Sequence, residues 1–74
     1  MNKPEKKIKK FVSVAKVDNT KFVKYRFNDI NKYIEFQLRK WPDTRFINIF
    51  SNKGADKRKL LYTYGRKKGL EPSH

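Results

Sequence analysis

From Phe11 to Val17 the chain reads Phe-Val-Ser-Val-Ala-Lys-Val, rich in β-branched residues and free of helix caps, which predicts a strand. Asp18-Asn19-Thr20 has turn chemistry, because Asp and Asn tolerate the left-handed backbone that a tight hairpin needs. The next stretch, Lys21 to Phe27, alternates. Val23, Tyr25 and Phe27 point one way, and Phe22, Lys24 and Arg26 the other. Together these predict a β-hairpin over residues 10–27.

The period then changes. Asn28 suits an N-cap, and Asp29 suits the positive end of a helix. Ile30, Tyr33, Ile34, Leu38 and Trp41 fall in a stripe about 140° wide at a helical repeat, with Lys32, Glu35 and Arg39 opposite. Pro42 ends the run, because the residue before a proline is pushed out of the helical region. An amphipathic helix over residues 29–40 follows, with Trp41 as a core anchor and Phe36 off the stripe. Arg45 to Ser51 carries bulk on both faces, as a central buried strand does. A loop with Gly54 leads through Lys57-Arg58-Lys59 into a fourth strand, Leu60 to Tyr64. In that strand Arg58, Leu60, Tyr62 and Tyr64 form the expected core side, which leaves Lys57 and Lys59 outward. From Gly65 onward there is neither period nor bulk.

The fold class expected is therefore α+β: one small domain in the order β-β-α-β-β, an antiparallel sheet with one amphipathic helix packed on one face. Residues 1–10 read as a basic N-terminal arm, 11–64 as the domain, and 65–74 as a basic, flexible C-terminal tail. With 74 residues and no cysteine, disulfides and thiolate metal sites are excluded, and the core has to come from the eleven aromatic rings. No apolar run reaches the roughly 20 residues of a membrane span, and no apolar stretch follows the N-terminal lysines as in a secretory signal. A cytoplasmic protein without a membrane partner is the expectation.

Charge changes the picture most. The chain carries a formal +13, and residues 57–68 hold six basic side chains and no acid. Such self-repulsion works against a compact fold, so a polyanionic partner explains it better than structure does. Catalytic chemistry is poorly supplied. The single histidine is His74, the acids are scattered among turns and helix ends, and the three glycines make no phosphate loop. No catalytic, cofactor or metal residue is assigned. A metal-free ribonuclease using Tyr62, Tyr64, Arg45 and Arg66 is the one enzymatic alternative.

The function expected is nucleic-acid binding, DNA or RNA, chiefly through phosphate. Lys24, Arg26, Lys57 and Lys59 form the basic sheet surface, Arg58 is a further phosphate contact, Phe22 is a base-stacking ring, and Arg66, Lys67 and Lys68 act with the N-terminal arm as clamps. The rival expectation is an accessory protein, of the kind phages and mobile elements carry, that binds an acidic host protein or a ribonucleoprotein. There Phe36, Phe46 or Phe50 would be the buried anchor. Phe36 also suits a homodimer contact.

Overall fold

A computed structural model describes residues 9–54 and 58–73. Five strands and one helix follow each other as β1 (Phe11–Lys16), β2 (Phe22–Phe27), α1 (Ile30–Lys40), β3 (Phe46–Ser51), β4 (Leu60–Gly65) and β5 (Gly69–Pro72). The strands form one open antiparallel sheet in the order β2-β1-β3-β4-β5. Helix α1 carries the chain from β2 past β1 to β3, so β2 and β3 flank β1 and run parallel to each other. The α+β reading holds, and β3 takes the central position that its two bulky faces call for.

The turn before β2 forms because Asp18 replaces missing backbone partners: its Oδ1 accepts from the amides of Thr20 and Lys21, each at 2.8 Å. These bonds favour the carboxylate and hold the Asp18 pKa below its ordinary value. The N-cap of α1 is Asp29, not Asn28; Asp29 Oδ1 accepts from the amide of Lys32 at 3.1 Å. Asn28 is used elsewhere, accepting from the amide of Lys10 at 2.9 Å.

The core lies between α1 and one sheet face. Ala15, Ile47 and Ile49 are completely buried there, with Phe27 and Tyr33 close behind. Small residues on β1, Ser13 and Ala15, sit between the larger Val23 and Tyr25 of β2 and Ile47 and Ile49 of β3. That trough admits the helix, and the Tyr33 ring stacks on Phe27 at 4.1 Å between centroids. Phe36, off the expected stripe, meets Tyr25 edge-on at 5.0 Å and remains 38 % exposed.

Gln37 is the residue that the apolar pattern leaves out. It lies within the angular range of the stripe and is fully buried. Its polar atoms are satisfied: Tyr33 Oη donates to Gln37 Oε1 at 2.9 Å, and Gln37 Nε2 donates to Thr44 Oγ1 at 3.0 Å. Thr44 Oγ1 in turn donates to the Trp41 carbonyl at 2.6 Å. This chain ties the helix end to the start of β3. A half-satisfied buried network costs more than an apolar core, so its members are mutually dependent. Trp41 itself is only half-buried. Turned outward ahead of Pro42, it donates from Nε1 to Tyr25 Oη at 3.2 Å, with Lys21 Nζ 4.6 Å from its ring.

Burial pushes the Tyr33 pKa up to about 12; the nearby Ser13 hydroxyl opposes the shift and Tyr25 adds to it. The Ser13 influence is one of proximity, since Ser13 Oγ makes no hydrogen bond of acceptable geometry and is a buried polar atom left unpartnered. Above pH ~10 the unfolded chain gives up the Tyr33 proton while the folded chain keeps it. The stability from a neutral, buried Tyr33 is therefore complete below pH ~10 and lost as pH rises through about 12. Urea midpoints at pH about 8 and about 11 should differ, and Tyr33→Phe should reduce that difference.

Two further sequence expectations are corrected. Residues 65–74, expected as a tail without regular structure, contribute β5, which pairs Leu70 with Tyr64 and Glu71 with Thr63. Gly69 at φ 75° makes the reversal, and Pro72 is acceptable because β5 is an edge strand. The strict alternation expected in β4 also fails. A register shift at Ile49/Phe50 places Leu60 opposite Phe50 while Tyr62 stays opposite Ile49. Leu60 therefore leaves the core side. Arg58, expected on that side too, is exposed.

Candidate nucleic-acid interface

The sheet face away from α1 has no layer over it, and the strand register orders its side chains into rows. At one end run Phe22, Lys16, Phe46 and Gly65. The middle row is Lys24, Val14, Asn48, Thr63 and Glu71. At the other end come Arg26, Val12, Phe50 and Leu60. Every strand supplies this face through its period of two: one set of positions fills the core and the alternate set faces outward.

Arg26 and Lys24 form one wall of a groove of about 680 Å³ whose floor is Val12, Val14 and Phe50 and whose other wall holds Lys53 and Arg58. Arg58 reaches this rim in a left-handed backbone conformation, φ 75°, two residues before β4. Its amide donates to the Ser51 carbonyl at 2.7 Å, which anchors the strand entry. Asn52 lines the groove as well and donates from Nδ2 to the Lys9 carbonyl at 3.0 Å. The basic segment at Lys9 and Lys10 is thereby held at the groove's edge.

Phe22 and Phe46 occupy the opposite end, 55 % and 36 % exposed, with ring centroids 6.4 Å apart and planes at 64°. Lys16 Nζ lies 5.8 Å from the Phe22 ring. Gly65, the register partner of Phe46, leaves open space: a Cβ placed there would meet nothing within 4 Å. The turn Arg66-Lys67-Lys68 follows at this same end, exposed at all three positions.

The two sides of the sheet differ in charge balance. Around α1, five cations among the described residues (Lys21 over the Trp41 ring, Lys32, Arg39, Lys40 and Arg45) stand with three acids, Asp29, Glu35 and Asp43. Across the open face Lys16, Lys24, Arg26, Lys53 and Arg58 meet one acid among the described residues, Glu71 on β5. Four strand spacings, about 19 Å, separate Glu71 from Lys24. That exceeds the screening length of about 8 Å at physiological salt, so Glu71 leaves the Lys24 edge positive.

Of the residues singled out from sequence, Lys24, Arg26 and Arg58 converge on the groove. Phe22 stands apart from it, paired with Phe46. Lys59 is exposed at the entry of β4, its carbonyl accepting from the Ser51 amide at 2.9 Å. Arg66, Lys67 and Lys68 form the β4–β5 turn. Lys57, most of the N-terminal arm and His74 lie outside the described residues. In the alternative ribonuclease set, Tyr62 and Tyr64 pack on the core, Arg45 donates to Asn19 Oδ1 at 3.1 Å, and Arg66 begins the turn after Gly65, the register partner of Phe46. Sequence reasoning missed Lys16, Phe46, Phe50 and Lys53 as members of one face. The signal was the alternation of Phe46, Asn48 and Phe50 against Ile47 and Ile49, legible once the aliphatic pair is taken as the buried one.

Among the described residues no cluster of metal-ligating side chains occurs, and no helix is long and apolar enough to cross a membrane. No protein-family model, curated protein or solved structure matches the chain.

Proposed function

We propose that the chain binds nucleic acid, with the open sheet face as its contact surface and phosphate as its principal ligand. One observation carries this reading: among the described residues the open face holds five cations to one acid, whereas the helix side holds five to three. A charge coat serving solubility alone would have no reason to respect that division. Lys24, Arg26 and Arg58 hold phosphate at the groove, and Arg66, Lys67 and Lys68 extend the track past the Phe22 end.

The reading makes a thermodynamic demand. If about 6 phosphates are neutralised, each releases condensed counterions, and log affinity falls with log salt at a slope near −5 on duplex DNA or near −4 on a single strand. Fluorescence anisotropy with labelled single- and double-stranded DNA and RNA across a salt series measures it. A flat dependence, or tight binding to an acidic protein with none to nucleic acid, would remove the proposal.

A further inference from the structure

We infer that the open face takes an unpaired nucleic-acid strand, its bases stacking on Phe22, Phe46 and Phe50 and its phosphates held by the cations between them. The inference rests on the nucleic-acid reading above and adds the kind of strand.

The cations of this face would serve a duplex as well as a single strand, because both present phosphates outward. The phenylalanines would not. A duplex keeps its base faces stacked inside and offers a phenyl ring little beyond the edge of a groove. An unpaired strand offers flat base surfaces and phosphates in alternation, and β2 offers Phe22, Lys24 and Arg26 in the same alternation. The row Phe22, Lys16, Phe46 repeats the arrangement across three strands.

Exposure supports stacking over packing. Phe22 is more than half exposed, although this small domain has to find its core among few apolar side chains. Phe46 is the register partner of Gly65, where an added Cβ would meet nothing within 4 Å, so no side chain covers the row beside it. Phe50 forms the floor of the groove directly beneath the Arg26 and Arg58 walls. Phe46 and Phe50 are four residues apart on β3, about 13 Å along the strand. Four intervals at the ~3.4 Å spacing of one duplex strand would cover that distance, and an extended strand needs fewer. The face therefore suits a short run of two to about four nucleotides.

The test compares the full chain's affinity for mixed-sequence single strands of about 12 nucleotides, DNA and RNA separately, with a duplex of equal phosphate number. Phe22→Leu and Phe46→Leu keep apolar bulk but remove the flat ring, and circular dichroism checks that both remain folded. The expected result is preference for the single strand and a loss on the order of 10- to 100-fold in single-strand affinity for the double leucine variant. Duplex affinity and the salt slope should stay unchanged. A 2-aminopurine placed in the single strand should be quenched on binding the unaltered protein, a readout independent of any variant. Equal binding of duplex and single strand, with no effect of the leucines and no quenching, overturns this inference and leaves the nucleic-acid reading intact. Absence of binding to every nucleic acid overturns both. The DNA and RNA arms reveal which sugar the face accepts.

Discussion

In a Lys24→Glu/Arg26→Glu double variant, nucleic-acid affinity at about 50 mM salt should fall on the order of 100-fold or more. Both side chains are exposed on β2, and both line the groove. Each reversal removes one phosphate contact and adds a repulsion, so the loss exceeds that of neutral truncation. The salt slope should also become shallower, by roughly 1 to 2, because fewer counterions are released. The fold should be little affected, since both side chains are exposed and their core-side neighbours Val23, Tyr25 and Phe27 are untouched. Anisotropy titrations beside thermal melts separate the two effects. A folded double variant with unaltered affinity would move the interface elsewhere.

Replacing Ile49 by Ala should act oppositely, on stability before binding. Ile47 and Ile49 are the largest fully buried side chains, and Ile49 lies in register with Ser13 on one side and Tyr62 on the other. Truncation of a buried isoleucine costs about 2–5 kcal/mol, from lost transfer energy and the cavity left behind. A domain of this size has roughly 4–11 kcal/mol in total, at 0.05–0.15 kcal/mol per residue. The variant should therefore unfold at a much lower urea concentration, with a measurable unfolded fraction without denaturant. Phe46→Ala, on the outer face of the same strand, should cost clearly less. A reversed order would mean that the two faces of β3 had been exchanged.

How much of this was legible beforehand follows the range of the interactions. The first hairpin was, because Val23, Tyr25 and Phe27 alternate with polar positions and Asp18 supplies its own turn bonds. The helix was too, to within a residue of its ends, though a glutamine at its centre hides from any apolar pattern. Gln37 is buried because Tyr33 and Thr44 meet it, and Thr44 lies seven positions along the chain. The strand β5 was invisible, since Gly69, Leu70, Glu71 and Pro72 carry almost no β signal; it forms because β4 provides an edge to pair with.

The interface was legible in parts. Phe22, Lys24 and Arg26 share a strand, so alternation alone groups them. Joining them to Arg58 and Phe50 requires the strand order, which places β3 next to β1, and the register shift at Ile49/Phe50 that disturbs the alternation of β4. Lys16 and Phe46 come together for the same reason: they are direct register partners thirty residues apart in sequence. No local window contains that pairing.

The backbone at Arg58 sets two demands against each other. A side chain at φ 75° is strained in a way glycine is not, so glycine would relax the entry to β4. It would also erase a guanidinium from the groove wall. At this one position durability and reach for an anion pull toward different amino acids, and the chain has settled on the less comfortable of the two.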